Sequence, residues 1–132
     1  MRKRIFVVDD NPALRSLIQD LLEDEAYEVD TAIDGVDAFD QLDQQRNVYD
    51  VILLDLSMPR LNGLQFLHKV QEQDSTLLRS IIALSADEEA LQQAACRGIY
   101  DVLKKPFDLE VLLTLVVRAM CQSQAKPMAQ SF

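Results

Sequence analysis

The chain contains no tryptophan, one histidine, two cysteines and three glycines in 132 residues, and each shortage closes a class of function. A single histidine, His68, rules out a multi-histidine metal centre. It lies opposite Leu64, Leu67 and Val70, which mark the buried side of a helical pattern, so a solvated side chain is expected. Cys96 and Cys121 lack the paired spacing of a zinc site, and reduced thiols are the expected state. None of Gly35, Gly63 and Gly98 makes a phosphate-cradling loop after the first apolar run, which argues against a dinucleotide- or flavin-binding protein. Positive charge is scarce as well. With 13 Lys and Arg against 22 Asp and Glu, the net charge of −9 argues against direct nucleic-acid binding, since phosphate contact needs a basic surface. Arg2-Lys3-Arg4 lead into an apolar run too short for a signal peptide, and no stretch approaches a membrane span. A cytoplasmic protein without a membrane partner is expected.

What is present is an ordinary globular composition, 48% hydrophobic and 27% charged, at a length that makes one domain with a real core. Val51-Ile52-Leu53-Leu54 ends at Asp55 and is followed by the turn-rich Leu56-Ser57-Met58-Pro59-Arg60-Leu61-Asn62-Gly63. Ile5-Phe6-Val7-Val8 ends at Asp9-Asp10, Ile81-Ile82-Ala83-Leu84 ends at Ser85, and a shorter strand from Tyr100 to Leu103 precedes Lys105-Pro106. Apolar runs of this length between turn signals read as buried strands of a parallel sheet. Tyr27 to Ala32 alternates instead, with Val29 and Thr31 on one face and Glu28 and Asp30 on the other, as suits an edge strand.

Helical patterns fill the gaps. Asn11 caps the first, with Pro12 at its first position and Leu14, Leu17, Ile18, Leu21 and Leu22 in helical period. Asp34-Gly35 opens the second, with Val36, Phe39 and Leu42, and the third starts near Asn62. Ser85-Ala86-Asp87 leads into the fourth, which carries Glu88 and Glu89 in its first turn and ends at Gly98. Asp108 caps the fifth, expected to run to about Gln122. Five strands alternating with five helices predict a doubly wound α/β fold: a five-stranded parallel sheet, order 2-1-3-4-5, helices on both faces. The domain is expected over residues 1–122, with a disordered tail or the start of a linker over 123–132.

Right-handed crossovers bring the carboxyl ends of the first and third strands together, so Asp9, Asp10 and Asp55 converge. Three carboxylates a few ångströms apart repel by roughly 3 kcal/mol per pair at an effective dielectric near 20. Such a cluster is retained when a cation occupies it, and an all-oxygen donor set suits Mg²⁺. Lys105 adds positive charge from the fifth strand. Asp55, so screened, can attack a phosphoryl group whose oxygens meet Lys105 and the Ser85 hydroxyl, with the small Ala86 leaving room.

The motifs Asp9-Asp10, Leu54-Asp55-Leu56-Ser57-Met58-Pro59 with Gly63, Ala83-Leu84-Ser85-Ala86 and Lys104-Lys105-Pro106-Phe107 together resemble the receiver domain of two-component response regulators, over about residues 3–122. The resemblance implies a flavodoxin-like fold of the chemotaxis-regulator kind. It also implies that Asp55 accepts phosphoryl from a histidine kinase or histidine phosphotransfer protein. Asp9, Asp10, Asp55 and the Ser57 backbone carbonyl would hold Mg²⁺, Ser85 would be the switch hydroxyl, Lys105 the phosphate-pairing lysine, and the bond before Pro106 cis. On this reading the chain is a signalling phosphoacceptor, an enzyme only toward itself.

One position departs from the family. The aromatic residue usual three places before the site lysine is Val102 here, and Tyr100, two residues off, does not take its place. An aspartyl-nucleophile phosphatase would want a second acid where Ser57 stands, and the rival reading, a pseudo-receiver that is never phosphorylated, is argued against by the intact Asp9, Asp10, Asp55 and Lys105. Along the last helix Glu110, Thr114 and Arg118 form one narrow polar stripe. Core packing is expected to use Leu112, Leu113, Val116 and Met120, which leaves Val111, Leu115, Val117 and Ala119 for a partner surface or homodimer.

Overall fold

The computed structural model describes residues 2–44, 49–58, 62–73, 75–99 and 101–129. In chain order it contains β1 (Arg4–Val8), α1 (Pro12–Asp24), β2 (Glu28–Ala32), α2 (Gly35–Gln44), β3 (Val51–Asp55), α3 (Gly63–Gln73), a 3-10 helix (Ser75–Ser80), β4 (Ile81–Ser85), α4 (Glu88–Cys96), β5 (Asp101–Lys104) and α5 (Leu109–Ala129). The strands pair in parallel, in the order β2-β1-β3-β4-β5 that the alternation predicts.

The strand pattern follows from which faces are covered. β3 and β4 are buried at every position, so they tolerate no polar residue before their last. Successive side chains go to opposite faces. Phe6, Val8, Ile52, Leu54 and Ala83 pack against Phe66, Leu67 and Val70 of α3 and Leu91 and Ala94 of α4. Ile5, Val7, Leu53, Ile82 and Leu84 pack against Ile18 and Leu22 of α1 and Leu112 and Val116 of α5. Each of these side chains larger than alanine contributes about 1.5–3 kcal/mol on burial.

β2 lies at the edge and keeps polar residues. Its Asp30 accepts from Arg4 at 2.6 Å and from the Tyr49 hydroxyl at 2.7 Å, and Arg4 lies over the Tyr49 ring at 5.3 Å. Burial, and then the bond to Asp30, push the Tyr49 hydroxyl above its usual range.

The helix ends carry the expected signals. The Asn11 side chain accepts from the Ala13 and Leu14 amides, and the Asp87 side chain from the Glu89 amide. Gly98 has φ of +102° just past α4, and its N–H and that of Ile99 close on the carbonyls of Ala95 and Ala94.

Four local features differ from the sequence reading. β5 begins at Asp101, and Tyr100, like Pro59-Arg60-Leu61 of the turn, lies outside the described residues. α5 continues past Gln122 to Ala129, since adding residues to an existing helix carries no new nucleation cost, even though Pro127 has no N–H to bond within it. Ala119 is buried and Leu113 only half-buried, since Leu112, Val116, Ala119 and Met120 complete one stripe at helical spacing. The 3-10 helix, six residues long, was too short to show a period.

Candidate functional site

The connections from β1 and from β3 leave toward opposite ends of the sheet, which opens a crevice at the carboxyl ends of these neighbours. Val8 pairs with Leu54, so Asp9 and Asp55 come out side by side. One carboxylate oxygen from each of Asp9, Asp10 and Asp55 lies within 4.8 Å of the others. Asp9 and Asp55 are buried, whereas Asp10 is exposed.

Lys105 reaches the cluster because its N–H continues the β4–β5 pairing by donating to the Ser85 carbonyl at 2.9 Å. Its Nζ lies 3.0 Å from Asp9 Oδ2 and 3.5 Å from Asp55 Oδ2. The Lys105–Pro106 peptide is cis.

Backbone donors orient the acids. Asp9 Oδ1 accepts from the Asn11 N–H at 2.8 Å, and Asp55 Oδ1 from the Ser57 N–H at 3.0 Å. Gly63 permits the close return of the chain beneath Asp55: an added Cβ would meet Leu56 Cα at 2.4 Å and the Asp55 carbonyl oxygen at 2.7 Å. Ser85 is fully buried. Its Oγ accepts from the Asp87 N–H at 3.0 Å and lies 3.4 Å from Ser57 Oγ, while Ala86 next to it is exposed.

Asp55 is pushed up from 3.8 to about 6. Burial is the largest cause, and the Asp9 charge and the contact with Asp10 add to it, while the Ser57 N–H and Lys105 pull the other way. Three acids facing one lysine leave negative charge uncompensated, and every side-chain donor is a carboxylate oxygen. The chemistry of this donor set fits a hard divalent cation such as Mg²⁺.

Sequence reasoning collected Asp9, Asp10, Asp55, Ser85 and Lys105, and the fold brings them together. It missed Arg15, whose Nη1 donates to the Asp9 backbone carbonyl at 2.7 Å. The only local signal was a cation in the first turn of α1, where the helix dipole disfavours one. The outlying residues fall elsewhere. Val102 sits opposite Ala83 and is 36% exposed, near the 44% of Val111, whereas Leu115 is half-buried against the core and offers less surface than expected. His68 is exposed beside Glu72, and both cysteines are free and exposed. Among the described residues no helix is long and apolar enough to cross a membrane.

A doubly wound sheet with an acidic, cation-ready cluster and a lysine at its switch point defines a class of small phosphoryl-accepting signalling domains. The family model for the response regulator receiver domain matches residues 5–117, and the chain belongs to that family. Its chemistry is accordingly confined to its own phosphorylation and dephosphorylation within a phosphorelay. The transcriptional regulatory protein CrdR of Helicobacter pylori is 32% identical over 120 residues, covering 89% of this chain and 55% of that protein. The response regulator ArlR of Staphylococcus aureus is 36% identical over 123 residues, covering 92% and 53%. The chain thus spans about half the length of these curated relatives. Among solved structures, NtrX from Brucella abortus superposes with a TM-score of 0.86 at 29% identity, over 99% of this chain and 29% of that one. Chemotaxis protein CheY4 of Vibrio cholerae gives 0.78 at 32% identity, over 90% and 99%.

Proposed function

We propose that Asp55 is the phosphoacceptor and takes its phosphoryl group from a histidine kinase or a histidine phosphotransfer protein. One observation carries this reading: Lys105 bridges Asp9 and Asp55 within a cluster of three convergent carboxylates. A carboxylate oxygen of Asp55 attacks phosphorus, and the bond from phosphorus to the donor's imidazole nitrogen breaks. The imidazole departs with the electron pair, leaving an acyl phosphate on Asp55. Asp9, Asp10, Asp55 and the Ser57 backbone carbonyl would hold Mg²⁺, which neutralises charge on the phosphoryl oxygens when bound. Lys105 pairs with one of those oxygens. The Ser85 hydroxyl accepts from Asp87, so its own proton remains available to a second, and Ala86 leaves the space.

The donor's histidine would arrive through a cleft of about 390 Å³ that opens beside Lys105 and is lined by Leu14, Leu17, Ala86, Pro106 and Phe107. Leu17, 48% exposed, gives that cleft an apolar rim for a partner helix. Such partners act in the cytoplasm, where the chain would reside, with the receiver unit over residues 1–122 and a linker beginning in 123–132, within the last turns of α5. A homodimer would form through the exposed side of α5 around Val111, with Leu115 at its margin.

Incubation with acetyl phosphate and Mg²⁺, followed by intact mass, tests the chemistry. The wild type is expected to gain one phosphoryl group and Asp55→Ala none. A gain that persists in Asp55→Ala overturns the assignment, and no gain in the wild type points to a pseudo-receiver.

A further inference from the structure

Asp9 is restrained at every polar atom. Its N–H donates to the Ala32 carbonyl at 3.2 Å, Oδ1 accepts from Asn11, Oδ2 from Lys105, and its backbone carbonyl from Arg15 Nη1 at 2.7 Å. Asp10, the next residue, is exposed. The Asp9 carbonyl belongs to the planar peptide unit that joins the two acids, so whatever holds that oxygen also fixes where the Asp10 Cα sits and thus the base from which its side chain extends. Arg15 holds it. The guanidinium arrives from the fourth residue of α1, folded back toward the start of its own helix, as long helical side chains are. That turn of α1 has no acidic residue, so the cation stands at the positive end of the dipole without a local partner there. Its bond to Asp9 is what the placement achieves.

We infer that Arg15 is a positioning residue for the divalent cation: by fixing the Asp9–Asp10 peptide plane it holds the Asp10 carboxylate at the distance from Asp9 and Asp55 that a cation requires. The inference rests on the reading of the acidic cluster as a cation site and adds a residue from outside it. Outer groups that orient ligating carboxylates typically account for roughly 10–100-fold in metal affinity. Positioning and plain electrostatics predict opposite signs. A guanidinium beside the cluster repels a divalent cation, so if charge alone mattered, its removal would tighten binding. If positioning matters, removal weakens it.

The experiment is a Mg²⁺ titration of the wild type, Arg15→Met and Arg15→Lys, followed through backbone amide shifts, which also report the fold. Arg15→Met is expected to bind Mg²⁺ about tenfold more weakly, the low end of that range. Arg15→Lys, which keeps a donor and the charge, is expected to recover part of the loss. Equal or tighter binding by Arg15→Met overturns the inference while leaving the cation site intact. A wild type that does not bind Mg²⁺ overturns the cation site itself. Should Arg15→Met fail to fold, Arg15→Leu, which likewise lacks a donor, takes its place with the same two readings.

Discussion

Asp55, the proposed nucleophile, has surroundings that favour its protonated form. Its ordinary value is 3.8, and in the folded protein it stands at about 6, chiefly through burial. The folded state therefore binds a proton more tightly than the unfolded state. The stabilising contribution is fully present below about pH 4 and is lost as the pH rises toward 6. At neutral pH the metal-free protein carries the cost of an ionised, buried Asp55. Asp55→Asn removes it, so the variant should exceed the wild type in stability at pH 7 by more than at pH 4.5. Urea unfolding of both proteins in the presence of a chelator measures this, and a gain independent of pH would show that Asp55 is ionised at no cost. Saturating Mg²⁺ should narrow the gap at pH 7, because binding to the folded wild type stabilises it by mass action.

The two ends of the connection from β3 to α3 meet closely at Gly63, whose N–H donates to the Leu56 carbonyl at 3.1 Å. An alanine at Gly63 would press its Cβ on Leu56 Cα and the Asp55 carbonyl oxygen, both backbone atoms that no rotamer change can move aside. Gly63→Ala should therefore cost about 1–3 kcal/mol by denaturant unfolding, as other overpacked sites do, and should slow phosphorylation by shifting Asp55. Wild-type stability and rate together would mean that the loop yields freely. Elements of this kind were legible to different degrees in the sequence. Buried parallel strands appear as unbroken apolar runs, so β1, β3 and β4 and the reactive residues at their ends could be placed directly. Asn11-Pro12 and Asp87 announced their helices because capping is a local bond. The bonds from Arg15 to Asp9 and from Arg4 and Tyr49 to Asp30 were not legible, since local period carries no record of which polar groups meet after folding. The exposed side of α5 was misjudged for a related reason. Beside the narrow polar stripe of Glu110, Thr114 and Arg118 the helix is apolar all round, so no core-facing stripe stands out, and only packing decided that Ala119 goes inward and Leu115 halfway.

At the scale of the whole molecule, a net charge of −9 opposes self-association, so any dimer must gain from apolar contact. Val111 and Val117, 44% and 52% exposed on α5, are the side chains that offer it. Because Leu115 packs partly into the core, Val111→Glu with Val117→Lys probes the surface without disturbing the fold. Sedimentation of the wild type with a phosphoryl mimic should show dimer that this double variant lacks. Identical monomers in every sample would leave docking to another protein as the role of the helix. Val102 has no large side chain to swing, so the mimic should change the dimer fraction only modestly.

The lysine that tempers the acids lies 96 residues from Asp9 along the chain. β1 and β3 pair directly, and Lys105 is tied in only by the last strand to join the sheet. A chain cut short before β5 would therefore hold all three acids and lack their counter-charge. In such a shortened chain, dissolved cations or bound protons, rather than its own lysine, would have to offset the repulsion among the acids.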